Sequence, residues 1–273
     1  MNPHAPDDNS FSSQSAHINN QQKLYILSDL HLWSDEDPLA LKFIELMKNT
    51  LRPGDYLFLV GDVFDVFVGA KAMFIERYNN ILKALYQLKE RNITVYFIEG
   101  NHDFHLENLF ENHSHIRLFD NKLHFEWNAK SFLFTHGDTI NWRDFGYVTL
   151  RALLRNILTQ CLVDIAPSKL VDFVAQKLSY QRHGSADTAT RVENRALHST
   201  NDNTQKIFKN FACDQIMRGY DFVIIGHSHE FENMKFQFDN RVGQYINCGY
   251  PRKHKRYFML SKNNPHFQAV NWF

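Results

Sequence analysis

Five short apolar runs in this chain each stop on a residue that can bind a metal or move a proton. Residues 24–27 lead into Ser28-Asp29-Leu30-His31, residues 56–60 into Gly61-Asp62, and residues 94–99 into Gly100-Asn101-His102-Asp103. Residues 131–135 lead into His136-Gly137-Asp138, and residues 222–225 into Gly226-His227-Ser228-His229. Each run is rich in β-branched or aromatic residues and too brief for a globular helix, which suits a buried strand. In an open α/β sheet, ligands bind in the crevice outside the carboxyl ends of the strands. Glycine at such ends permits tight turns and close backbone approach. The pattern predicts an α/β chain that gathers Asp29, His31, Asp62, Asn101, His136, His227 and His229 in one place.

Carboxylate, amide oxygen and imidazole together suit Mn²⁺, Fe or Zn²⁺, and the lack of thiolate argues against a structural zinc site. A carboxylate such as Asp62 can bridge two cations. Two ions about 3.5–4 Å apart can clamp the attacking and leaving oxygens of an in-line displacement at phosphorus and acidify a water. The expected reaction is hydrolysis of a phosphate ester or anhydride. Singly, each residue has a plainer reading: Gly61-Asp62 is an ordinary turn signal, and Asn101 alone suits a loop cap. Likewise Asp29 and His31 suit a turn, and His227 and His229 a polar strand end. Agreement at five strand ends selects the metal reading.

Composition narrows the partners. Lys+Arg and Asp+Glu balance at 30 each, so no global basic field recruits nucleic acid, and none is expected as a partner. Three separated cysteines, Cys161, Cys213 and Cys248, contain no CxxC pair and signal no disulfide framework. The first 22 residues match neither a secretory signal nor a basic transit peptide, and no apolar run is long enough to span a bilayer. The expectation is a cytoplasmic protein, with peripheral contact at the inner face of a membrane left open.

The chain divides into a polar, disordered tail (residues 1–22), a core (23–138 and 221–273) and a helical insertion (139–220). Leu39, Phe43, Leu46 and Met47 recur at helical spacing, as do Ile81, Leu82, Leu85 and Leu88. Residues 243–247, 117–127 and 235–238 read as further strands. Within the insertion, Tyr147, Leu150, Leu154, Ile157, Cys161 and Ile165 form one apolar stripe, and Leu170, Phe173, Val174 and Leu178 a second.

The ordered set Asp29-x-His31, Gly61-Asp62-x-x-Asp65, Gly100-Asn101-His102-Asp103, His136-Gly137-Asp138 and Gly226-His227-Ser228-His229 resembles the calcineurin-like metallophosphoesterase superfamily. That resemblance implies an α/β fold: a four-layer sandwich of two mixed β-sheets flanked by helices, here with a helical cap. It implies one divalent ion on Asp29, His31, Asp62 and His229, and another on Asp62, Asn101, His136 and His227. His102 would protonate the leaving oxygen or stabilise the transition state, with Asp65 or Asp103 orienting it.

A narrower likeness joins Val68-Gly69 after Asp65, and Thr139, Asp144, Tyr147, Arg151 and Arg155 after His136, to the UDP-2,3-diacylglucosamine hydrolases of the lipid A pathway. It implies Mn²⁺, a lipid-linked UDP-sugar pyrophosphate as substrate, and UMP with a diacylated glucosamine 1-phosphate as products. The insertion would supply an acyl slot, and its residues Asp144, Tyr147, Arg151 and Arg155 would bind substrate, the first three from one helix face. Other readings are a different phosphodiesterase or nucleotide pyrophosphatase, and a non-catalytic binding scaffold. Protein phosphatases of this type carry Arg-Gly after the second aspartate and Glu after the motif histidine, where this chain has Val66 and Asp103.

Overall fold

Alternation along the strands sets the layers. A computed structural model of the chain describes residues 22–141, 202–238 and 241–272, with residues 149, 151, 155, 156, 165–167, 170 and 171 between the first two blocks. In β1 (Lys23–Leu27), Leu24 and Ile26 belong to one apolar cluster while Tyr25 and Leu27 belong to another. The same division runs through β2 (Tyr56–Val60) and β4 (Thr94–Ile98). Strands buried on both faces read in sequence as unbroken apolar runs.

Two mixed sheets result. Besides β1, β2 and β4, the first contains β6 (Ile116–Phe119), β12 (Arg256–Ser261) and β13 (Asn264–Asn271), in the order β13-β12-β1-β2-β4-β6. The second contains β7 (Lys122–Trp127), β8 (Lys130–Thr135), β9 (Phe222–Ile225), β10 (Phe231–Phe238) and β11 (Arg241–Cys248), in the order β10-β11-β9-β8-β7. A two-stranded ribbon pairs β3 (Phe67–Val68) with β5 (Asp103–Phe104).

Between the sheets, Leu24, Ile26, Phe58 and Val60 meet Phe132, Phe134, Phe222 and Ile224. The Phe58 ring stacks on Phe134 at 4.3 Å and on Tyr96 at 4.8 Å. Helices cover the outer faces. Leu39 and Phe43 of α1 (Pro38–Glu45), with Ile81 and Leu85 of α3 (Asn79–Gln87), pack on the first sheet; α2 (Ala72–Arg77) precedes α3. Phe208, Ala212 and Ile216 of α5 (Asp202–Arg218) pack on the second sheet, against Leu133, Val223, Ile225 and Tyr245. Two short α-helices, α4 (Glu107–Phe110) and α6 (Pro251–His254), lie elsewhere in the chain. This is the expected helix–sheet–sheet–helix sandwich.

Local chemistry starts the elements. Asp37 caps α1, accepting the Leu39 N–H at 2.9 Å, and Pro38 supplies the fixed φ that suits a first helical residue. Residues 117–127, read as one strand, are two: β6 ends in the first sheet and β7 starts in the second. β12 and β13 were not anticipated. Residues 1–21 of the polar tail and most of the two insertion stripes lie outside the described residues. Gln22, assigned to that tail, is buried, donates to the Gly54 carbonyl at 2.5 Å and accepts from Trp127 Nε1 at 3.2 Å.

Candidate metal centre

Five of the seven ligand candidates sit in left-handed backbone: Asp29 (φ 54°), His31 (45°), Asp62 (54°), His227 (65°) and His229 (58°). Such a conformation costs a non-glycine residue on the order of 1–3 kcal/mol and persists only where surrounding contacts over-determine it. Those contacts are present. The Asp29 and His31 amides donate to the carbonyls of Gly61 (3.0 Å) and Asp62 (2.9 Å), and the Gly226 amide to that of His136 (2.9 Å). The His227 amide donates to both carboxylate oxygens of Asp29, at 3.0 and 3.1 Å.

These turns aim side chains at one another. Asp62 Oδ2 lies 3.7 Å from His31 Nε2 and 3.4 Å from His136 Nε2. On one flank, His31 Nε2 faces His229 Nε2 at 3.1 Å, and His229 Nε2 is 3.6 Å from Asp29 Oδ1. On the other, His136 Nε2 faces His227 Nδ1 at 3.2 Å and Asn101 Oδ1 at 3.2 Å. Three overlapping sets of donor atoms could each hold a cation: Asp29, His31 and His229; His31, Asp62 and His102; and Asp62, His136 and His227. Within each set the donor atoms lie within 4.8 Å of one another. The mixture is oxygen and imidazole without thiolate, which fits Mn²⁺, Fe or Zn²⁺.

The buried groups are strongly coupled electrostatically, and a cation would have to displace protons to bind them. Burial pushes the Asp29 carboxyl up to about 7, against the pull of the nearby His136. For Asp62 burial acts in the same upward direction, yet the charges of His136 and His102 outweigh it and hold the carboxyl well below its usual range. His136 shows the counterpart: burial alone would lower it, while the Asp62 carboxylate pushes it up to about 10. The His136 Nδ1–H donates to the Val60 carbonyl at 3.1 Å, so in the neutral ring that a metal ligand requires, with the Nε2 proton displaced by a cation, the Nε2 lone pair would point into the cluster.

Every one of the seven ligand candidates is therefore brought to one place. His102 borders them, its ring 4.9 Å from that of His31, with Nδ1 donating to the Asp65 carbonyl at 2.7 Å. Asp103 has another engagement. Its buried carboxylate accepts the amides of Asp62 (3.0 Å), Val63 (2.6 Å), Phe64 (3.3 Å) and Gly100 (2.8 Å). Arg151 donates to Asp138 and Arg155 to Glu99, so protein carboxylates occupy the two guanidinium groups expected to meet substrate. Asp144 and Tyr147 lie outside the described residues.

Sequence reasoning missed a backing layer. Asn247, at the end of β11, donates to the Gly226 carbonyl (3.1 Å) and Ser228 Oγ (2.8 Å) and so holds the His227–His229 turn. The Tyr250 ring stacks on His229 at 5.0 Å. Arg252 packs over the Trp33 ring, pairs with Asp37 and donates to the His31 carbonyl at 3.0 Å. Asn247 ends a strand like the ligand candidates, a usable signal; Tyr250 and Arg252 carry none.

The model of the calcineurin-like phosphoesterase family matches residues 22–231. The chain belongs to that family. This phosphoesterase is a phosphoester hydrolase whose family works with divalent metals. It is similar to a UDP-2,3-diacylglucosamine hydrolase of Pseudomonas entomophila, 28% identical over 227 residues that cover 83% of this chain and 90% of that protein. A protein of the same name from Psychromonas ingrahamii is 25% identical over 250 residues, covering 90% of this chain and 98% of its own. Among solved structures, an archaeal phosphodiesterase matches with TM-score 0.43 and 14% identity, covering 91% of this chain and 98% of that one.

Proposed function

We propose that the chain is a dinuclear hydrolase that cleaves the pyrophosphate of a UDP-linked diacylglucosamine, releasing UMP and the lipid sugar 1-phosphate. The observation that carries the two-metal part is the position of Asp62 between two histidine pairs, with Oδ2 near both His31 and His136. Asp29, His31, Asp62 and His229 would hold one ion, and Asp62, Asn101, His136 and His227 the other, with Mn²⁺ as the first choice and Fe or Zn²⁺ as alternatives. Two such ions supply Lewis acidity at phosphorus and a water acidic enough to attack near neutral pH. With Nδ1 of His102 committed to the Asp65 carbonyl, Nε2 is the nitrogen that gives a proton to the leaving oxygen. Asp103 serves this reading by holding the Asp62 turn rather than by touching substrate.

The substrate part rests on the names of the relatives and on the insertion. Ile165 and Leu170, apolar side chains on that segment, are 83% and 54% exposed, which suits contact with acyl chains or a membrane surface. No helix among the described residues is long and apolar enough to cross a membrane. On this reading the lipid-linked substrate would bring the enzyme to the membrane as a peripheral protein at the cytoplasmic face. The engagement of Arg151 and Arg155 by protein carboxylates favours a second reading, a phosphodiesterase or nucleotide pyrophosphatase acting on a smaller, water-soluble substrate.

One panel separates them. Purified protein with Mn²⁺ is offered UDP-2,3-diacylglucosamine, a water-soluble UDP-sugar, cyclic nucleotides and an aryl phosphodiester. The expected result is preferential release of UMP from the acylated substrate, lost on chelation and in Asp62→Ala or His136→Ala. Equal turnover of the water-soluble UDP-sugar removes the acyl slot; retained activity in both variants removes the metal centre.

A further inference from the structure

Two buried carboxylates bracket the contact between Asn101 and His136. Glu99 stands two residues before Asn101, Asp138 two residues after His136, and both are almost wholly buried. Each is met by an arginine from the 139–220 segment. Arg151 Nε donates to Asp138 Oδ2 at 2.6 Å, and Arg155 donates from one amino group to Glu99 Oε2 at 2.9 Å. The other amino group of Arg155 donates to the Gly100 carbonyl at 2.7 Å, beside Asn101. Both guanidinium groups also reach the Asp120 carbonyl, at 3.1 and 2.9 Å. The Arg155 amide donates to the Arg151 carbonyl at 2.9 Å, which sets the two side chains one helical turn apart on a single face.

This arrangement is one-sided. The Asp29, His31 and His229 group is backed by Tyr250 and Arg252, which belong to the core. Among the described residues the arginine pair reaches the loops that carry Asn101 and His136, the Asp120 carbonyl and the Phe104 ring, and makes no contact with the turns that carry Asp29, His31 and His229. A planar guanidinium with forked donors fixes both the distance and the orientation of its acceptors, so these contacts set loop geometry as well as neutralising charge.

We infer that Arg151 and Arg155 are a brace through which the 139–220 segment positions Asn101 and His136, and with them one of the two metal positions selectively. The inference rests on the two-metal reading. Arg151 and Arg155 are positioning residues that act through Asn101 and His136.

The test is a Mn²⁺ titration of metal-free protein, with free Mn²⁺ read by electron paramagnetic resonance, on the wild type and on Arg151→Ala, Arg155→Ala, Arg155→Lys and Glu99→Gln. Wild type is expected to take two ions. Arg155→Ala should weaken one of them tenfold or more and leave the other within threefold. Its kcat on an aryl phosphodiester should fall while KM stays within threefold, and Arg155→Lys should recover part of the lost affinity. Unchanged binding of both ions in the alanine variants, or equal weakening of both, overturns the brace. If Arg155→Ala fails to fold by circular dichroism, Arg155→Lys and Glu99→Gln decide by the same criterion. Wild type that takes fewer than two ions overturns the two-metal reading itself, a result distinct from failure of the brace.

Discussion

The Asp103 carboxylate lies behind the turn that presents Asp62 and accepts that residue's backbone N–H at 3.0 Å. With the amides of Val63, Phe64 and Gly100 also donating to it, one side chain organises two of the loops that meet at the centre. Asp103→Asn replaces an accepting oxygen with an NH₂ group that faces N–H donors. The expected loss is about 2–4 kcal/mol, since buried donors are left without partners. Urea unfolding measures it, and a midpoint equal to that of wild type would show that the amide contacts contribute nothing.

Gly100→Ala tests how closely the loops approach. A Cβ there would meet Asp62 Oδ1 at 2.1 Å and the Asp62 amide nitrogen at 2.4 Å. Backbone cannot yield that much, so the Asp62 side chain must leave its place. Phosphodiesterase activity should fall by about two orders of magnitude or more, in line with the cost of misplacing reacting groups by roughly 1 Å. Gly54→Ala is the control: its left-handed φ of 87° imposes some backbone strain, but a Cβ there meets nothing within 4 Å. Comparable losses in the two variants would contradict a steric origin at the centre.

His102→Ala separates proton transfer from metal binding. The role assigned to its Nε2 predicts a fall in kcat of about 10²–10⁴, the usual contribution of a positioned general acid. Bound metal should stay at the wild-type level, because the two proposed ligand sets are complete without His102. Loss of an ion, measured by elemental analysis, would reassign His102 as a ligand.

Asp221 offers a pH test away from the centre. Burial tends to raise its carboxyl, but hydrogen bonds from Ser131 and Lys130 prevail and hold it below the ordinary value. A carboxyl lowered by folding contributes stability that is present above its unfolded pKa and lost as pH falls through the folded one. Asp221→Asn should therefore destabilise the protein at pH 7, by about 0.5–1 kcal/mol given solvent screening, and by less at pH 3. Thermal melts at both values check the sign; an equal deficit at the two would attribute the effect to packing.

Much of this was legible in the chain itself, and the exceptions share causes. Residues 24–27 and 56–60 could be read as strands because both faces are buried. β12, with Arg256 exposed at its start and Met259 and Ser261 only partly buried, alternates too weakly to stand out. The boundary between β6 and β7 was hidden because apolar residues continue on both sides of the Asp120-Asn121 turn while the partner sheet changes. At the centre, residue type was enough to pick the seven ligand candidates. Asp103 looked like a partner for His102, since sequence shows a carboxylate but not the four amides it faces. Arg151 and Arg155 looked available to a phosphate because Glu99 and Asp138, remote in sequence from one or both, gave no sign of pairing with them.

The amide of His227 resting on the Asp29 carboxylate carries a consequence for synthesis. The first proposed ligand to leave the ribosome waits for one of the last, and β1 needs β12 for its antiparallel neighbour. A nascent chain arrested before residue 226 has Asp29, Asp62 and His136 but cannot close the centre. On the proposed two-metal reading, metal capture would belong among the final events in the making of this molecule, and an N-terminal fragment without His227 and His229 would hold ions more weakly than the finished protein.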